Sequence, residues 1–197
     1  MSTNQGNHTQ AVVLVPGWLD NIATMAKMAE HLNSAGYRAL LCSPQPSDGR
    51  APIEELAAQL AEFVAQAVPA GERFHYIGFS MGGLIGRFYL QELGGRERMA
   101  NLVTISTPHR GTYMANSLWL PAVRQMRPES EFIHRLNRDL TALAERRFVS
   151  IWTPLDLSVV PPSNSELPVG ESRRVFGIAH ALMPLNRRVW RAVEESL

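Results

Sequence analysis

The sequence predicts an α/β domain: one mostly parallel sheet of about six strands with helices on both faces. Three observations carry this. Short apolar runs recur along the chain, separated by stretches whose apolar residues follow helical spacing. Glycine and proline punctuate the joints. The first run, Ala11 to Val15, is continuous rather than alternating, as in a strand buried on both faces.

That first run ends at Pro16-Gly17. Met25, Met28, Ala29 and Leu32 then mark a helix over 22–35, with Gly36 where a left-handed cap belongs. Residues 37–42 read as a second buried strand. Pro52 suits the first turn of a helix whose apolar stripe is Leu56, Leu60, Phe63, Val64 and Ala67, broken by Pro69-Ala70-Gly71. Residues 74–79 form the third strand, followed by a helix over 81–93 and a strand over 101–106. An irregular stretch over 107–128 leads to a helix over 129–144. Strands over 148–153 and 174–178 and a closing helix over 184–197 complete the series. Residues 11–197 are thus one domain behind a flexible start, 1–10. Alternating strands and helices imply right-handed crossovers, which place the chemistry at the carboxyl ends of the strands.

Composition narrows the function classes. The 197 residues carry 19 Lys and Arg against 18 Asp and Glu, a net charge of +1. No strong field draws such a chain to nucleic acid or anionic lipid. Cys42 is the only cysteine, so neither an intrachain disulfide nor a cysteine metal cluster can form. The first ten residues are polar and lack the pattern of a signal peptide, and no apolar stretch reaches membrane-spanning length. The expectation is a soluble cytoplasmic protein that needs no metal or cofactor, with transient lipid-surface contact still open.

Gly78-Phe79-Ser80-Met81-Gly82 is the motif that carries chemistry. The pattern Gly-x-Ser-x-Gly is weak alone, but here it follows an apolar strand and opens an apolar helix, the setting in which a serine is held exposed on a sharp turn. Gly78 and Gly82 are needed because side chains there would strike neighbouring backbone. The helix that follows adds positive potential at its amino end.

A serine hydroxyl requires a histidine to take its proton and a carboxylate to orient that histidine. Of the six histidines, His8, His31, His75 and His134 lie away from the active edge. His109 follows the fourth strand and is a rival; His180 follows the last strand, where the chain order serine, acid, histidine puts the base. Among the four aspartates, Asp156 lies after a strand and between Ser80 and His180. Asp139 reads as mid-helix, Asp48 as a turn residue and Asp20 as a helix cap. The oxyanion of an acyl-transfer intermediate needs two backbone donors, expected from Met81 and from Trp18 in Pro16-Gly17-Trp18, with Gly17 structural. The apolar residues of 107–128 would form a small lid, an acyl pocket or a packed helix.

With these pieces assembled, the chain resembles the α/β-hydrolase superfamily, and within it the small bacterial lipases and esterases of the triacylglycerol lipase type. The likeness rests on Val12-Val13-Leu14-Val15-Pro16-Gly17-Trp18, on the elbow around Ser80, and on Ser106-Thr107-Pro108-His109-Arg110-Gly111-Thr112, a segment typical of lipases. Pro161-Pro162-Ser163 and Gly177 to His180 look like the acid and histidine loops of that family. The resemblance implies a minimal α/β-hydrolase fold without a large cap, and ester cleavage through a Ser-His-Asp triad and an acyl-enzyme. Thioester or phospholipid cleavage with the same triad, or lipid binding without turnover, are the alternatives. The chain departs from the family at Pro16, where a histidine usually stands. Proline has no side-chain donor or acceptor, so the oxyanion loop must be braced by other groups.

Overall fold

The computed structural model describes residues 10–197. The flexible start expected over 1–10 lies outside the described residues, Gln10 excepted. In chain order the elements are β1 (Ala11–Val15), α1 (Ile22–Ser34), β2 (Arg38–Leu41), α2 (Ile53–Ala67), β3 (Phe74–Phe79), α3 (Met81–Glu92), α4 (Gly95–Arg98) and β4 (Met99–Ile105). They continue with α5 (Pro121–Gln125), α6 (Glu131–Arg138), α7 (Thr141–Ala144), β5 (Arg147–Trp152), β6 (Glu171–Arg174) and α8 (Arg187–Glu194). Three short 3-10 turns, Tyr113–Ser117, Pro162–Ser165 and His180–Leu185, lie between them.

All six strands are parallel, in the order β2-β1-β3-β4-β5-β6. The chain steps outward from β1 to β2, then returns past β1 to β3 and moves the other way. Right-handed crossovers therefore throw α1 and α2 onto opposite faces. Met25, Met28 and Leu32 of α1 pack with Val189 and Val193 of α8 against one face, while α2 and α3 cover the other. Each such side chain contributes roughly 1.5–3 kcal/mol by leaving water. The reversal opens a crevice beyond the carboxyl ends of β1 and β3, where the Gly17 and Ser80 turns meet.

Local chemistry sets the boundaries. Asn21 Oδ1 accepts from Ala23 N at 2.8 Å to start α1, and Gly36, at φ +93°, turns the chain out of it. Several expected elements are corrected. β2 is half-buried, because it is a sheet edge rather than an interior strand. The helix expected over 129–144 breaks in two at Asp139, whose backbone is extended and whose carboxylate caps the Thr141 N–H at 2.8 Å; Asp139 is thus not mid-helix. The last strand lies at Glu171–Arg174 and not over 174–178, because this second edge tolerates a charged sequence. Val175 adds one more ladder bond to Trp152 O at 2.8 Å, Phe176 is exposed, and Gly177 turns away at φ +77°. The closing helix begins late, at Arg187, because His180–Leu185 forms a 3-10 turn.

Candidate active site

Ser80 stands between β3 and α3 with φ 52° and ψ −120°, a conformation that costs a non-glycine residue on the order of 1–3 kcal/mol. The surroundings enforce it. Ser80 N donates to Ile105 O at 2.8 Å, and Tyr76 Oη to Gly82 O at 2.7 Å. A Cβ on Gly78 would sit 2.6 Å from the Gly82 carbonyl carbon, and one on Gly82 would sit 2.5 Å from Val15 O. The two glycines let α3 start directly against the ends of β3 and β1.

Gly17 approaches Ser80 from β1; a Cβ there would lie 3.0 Å from Ser80 Cβ. The loop that lacks a histidine at Pro16 is braced by backbone instead: Leu19 N donates to Ser47 O at 2.9 Å and Asp20 N to Gly17 O at 3.3 Å. Among the described residues no acceptor meets the Trp18 N–H, and the Met81 N–H opens α3, where no intrahelical carbonyl reaches it. Both amides lie on the turns that flank Ser80.

His180 Nδ1 and Asp156 Oδ2 are 2.7 Å apart. Asp156 is buried, and its Oδ1 accepts from Ser158 N at 2.9 Å and Val159 N at 2.8 Å, so backbone fixes the carboxylate. The His180 ring packs against Phe79, centroids 4.9 Å apart. Thr153 Oγ1 donates to Ile178 O at 2.8 Å, tying the strand end that precedes Asp156 to the residues that precede His180. Sequence reasoning passed over Thr153, since a threonine closing a strand carries no motif.

Ser80 and His180 line one cavity of about 340 Å³, within the usual range for a small-molecule site. Its other walls come from Trp18 and Leu19, from Met114, Leu118 and Met126, and from Leu157. The 107–128 segment thus forms one wall. A larger, more open depression of about 760 Å³, with Glu54, Arg124 and Arg135 on its walls, contains neither Ser80 nor His180.

His109 is not brought to Ser80. It is wholly buried, with Nε2 2.9 Å from Thr104 Oγ1 and Nδ1 3.4 Å from Arg87 Nη1. Burial, and then the Arg87 charge, hold its pKa well below the ordinary histidine value. Arg87 was missed by sequence reasoning, although an arginine within an apolar helix stretch is a visible signal. Among the described residues no group of three or more His, Cys, Asp or Glu side chains is gathered as a metal site, and no helix is long and apolar enough to cross a membrane.

Residues 11–150 match the sequence profile of the family described as palmitoyl protein thioesterase. The chain belongs to the palmitoyl protein thioesterase family. The matched span includes Gly17, Ser80 and His109 and stops short of Asp156 and His180. No curated protein matches the sequence at a significant level. Solved structures similar to this thioesterase-family chain include Aspergillus fumigatus lipase B, with TM-score 0.77 and 21% identity over 93% of this chain and 51% of that one. The mature form of Bacillus licheniformis lipase BlEst2 has TM-score 0.76 and 14% identity, covering 95% of this chain and 91% of that one. A metagenome-derived lipolytic enzyme, from work on LipS and LipT, has TM-score 0.71 and 15% identity over 95% and 94%. This chain spans about half the length of the Aspergillus lipase. These likenesses establish a minimal α/β-hydrolase fold.

Proposed function

We propose that the protein is a serine hydrolase that cleaves carboxylic esters, with Ser80 as nucleophile, His180 as general base and acid, and Asp156 orienting the histidine. The observation that carries this reading is the 2.7 Å Asp156–His180 hydrogen bond beside a strained Ser80 that opens on the same cavity.

The chemistry follows from the atoms. With its Nδ1–H donated to Asp156, His180 presents Nε2 as the free base. That nitrogen takes the Ser80 proton as Oγ attacks the ester carbonyl, and the N–H groups of Met81 and Trp18 receive the charge that develops on the carbonyl oxygen. The tetrahedral intermediate collapses, the imidazolium protonates the departing alkoxide, and an acyl-Ser80 ester is left. Water, deprotonated by His180, then attacks the acyl carbon, and the imidazolium returns its proton to Ser80 Oγ as the acid is released. Asp156 holds the imidazolium through its Nδ1–H, and is itself held in place by the N–H groups of Ser158 and Val159.

The apolar walls from Met114, Leu118, Met126 and Leu157 suit an acyl chain. Membership in a family named for thioesterases favours a second reading, thioester cleavage, which uses the same groups on a leaving thiolate that needs less protonation. Paired oxygen and sulfur esters of one acyl chain discriminate the two by kcat/KM. A fluorophosphonate tests both: it is expected to label wild type at Ser80 and to leave Ser80→Ala unlabelled. Folded wild-type protein that takes no label would instead be a binder without turnover.

A further inference from the structure

We infer that Thr112 is a positioning residue that couples the acyl-side wall of the cavity to the loop holding Asp156, so that filling the wall with a longer acyl chain raises turnover as well as affinity. The inference deepens the serine hydrolase reading above and rests on it.

Thr112 is buried and its hydroxyl is saturated. Oγ1 donates to Ser158 O at 2.8 Å and accepts from Val160 N at 2.9 Å and Met114 N at 3.3 Å. One donor and two acceptor positions are all that a hydroxyl has. Its backbone is equally engaged: Thr112 N donates to Met126 O at 2.7 Å, and the adjacent Tyr113 N to Val160 O at 3.0 Å.

These bonds join two structures that are otherwise separate in sequence. On one side, Met114 and Met126 are cavity wall. On the other, Ser158 and Val159 supply the N–H groups that hold Asp156 Oδ1, and Thr112 grips this same stretch of chain at the Ser158 carbonyl and at the Val160 N–H. A neighbouring brace extends the contact: Arg110 N donates to Asn164 O at 3.0 Å, and Asn164 Nδ2 to Gly111 O at 2.9 Å. Residues 110–112 thereby brace the acid loop, and Thr112 carries that brace into the cavity wall, which it lines beside Met114 and Ser158. An acyl chain that packs Met114 and Met126 in place limits the freedom of Thr112, of the 158–160 chain, and through Asp156 of His180. Displacements of about 1 Å at a catalytic group cost on the order of a hundredfold in rate, so even partial slackening is measurable. The acyl group is present in both acylation and deacylation, so kcat reports the coupling whichever step limits it.

The experiment measures kcat and KM on 4-nitrophenyl acetate, butanoate and octanoate for wild type, Thr112→Val and Thr112→Ser, with fluorophosphonate labelling of each. Wild type is expected to gain in kcat as the chain lengthens. Thr112→Val, which keeps the shape and loses the hydroxyl, is expected to lose about tenfold in kcat on the octanoate, less on the acetate, with KM for the octanoate changed less than threefold; Thr112→Ser restores most of the gain. If wild-type kcat is flat across the series and only KM falls, the coupling is overturned, whether or not the valine variant folds. A valine variant with the wild-type kcat profile, or with the same loss on every ester, also overturns it. Failure of the underlying reading has a different signature: wild type that takes no label and cleaves none of the three esters.

Discussion

Arg87 Nη1 lies 3.4 Å from His109 Nδ1, and both side chains are wholly buried. A guanidinium only donates, so Nδ1 must accept, and the ring proton sits on Nε2, directed at Thr104 Oγ1 at 2.9 Å. The Arg87 cation is otherwise held by neutral acceptors: Leu136 O at 2.8 Å, Asn137 Oδ1 at 3.0 Å and Gln91 Oε1 at 3.2 Å. Burial pushes its pKa down to about 9. His109→Ala removes an acceptor from this buried charge and leaves a cavity. The expected loss is roughly 3 kcal/mol of unfolding free energy. Fluorophosphonate labelling of the folded fraction should persist, and its disappearance would reinstate His109 as the base.

Asp156→Asn tests the other histidine. An asparagine amide can present its NH2 to His180 Nδ1, which favours the tautomer with the proton on Nε2 and removes the base from Ser80. A fall in kcat of roughly 10⁴-fold is expected, by analogy with serine proteases in which the geometry survives the same change. KM should stay within a few-fold and the thermal midpoint within a few degrees. Activity within tenfold of wild type would show that Asp156 does not orient the base.

The sheet interior was legible in the sequence because it depends on short-range pattern. Ala11 to Val15 and Phe74 to Phe79 are apolar on every residue since both faces are covered, and the chain order of Ser80, Asp156 and His180 follows from strand ends alone. The edges were illegible for the same reason. Glu171–Arg174 has no apolar run because an edge strand needs none, so the apolar Val175-Phe176 drew the reading forward. The break at Asp139 depends on a side-chain cap that competes with the helix, and periodicity does not register it. Chain order favoured His180 over His109, but that His109 is wholly buried is a tertiary property the sequence does not display.

Gly82 and Gly36 separate two reasons for glycine. Gly36 has φ +93° with nothing within 4 Å of a Cβ, whereas a Cβ on Gly82 would meet Val15 O at 2.5 Å and Pro16 O at 2.6 Å. Gly36→Ala is therefore expected to cost about 1 kcal/mol of stability through backbone strain and to leave kcat/KM unchanged. Gly82→Ala must push the Pro16-Gly17-Trp18 turn away from Ser80. It should lose about a hundredfold in kcat/KM, the scale of a lost oxyanion donor. Steady-state kinetics beside urea denaturation checks both. Equal effects of the two substitutions on activity would mean that the Gly82 contact does not set the oxyanion turn.

His75, on β3 far from the cavity, should give the fold a pH dependence of its own. It is 3% exposed, stacks edge-on to Tyr37 with centroids 6.2 Å apart, and neither ring nitrogen meets a partner among the described residues. Burial, and then the charge of Arg147, push its pKa down to about 4, against about 6.5 in an unfolded chain. Between those values the unfolded state binds more protons than the folded one, so stability is whole above about pH 6.5, falls as the pH drops toward 4, and loses nothing further from this group below that. His109, also held neutral by burial, acts in the same direction. His75→Phe keeps the ring and its edge contact while removing the titration. Urea midpoints at pH 7 and pH 5 should show wild type losing on the order of 1–2 kcal/mol more than the variant. Parallel losses in the two proteins would show that His75 is protonated without cost, and hence that water reaches its ring.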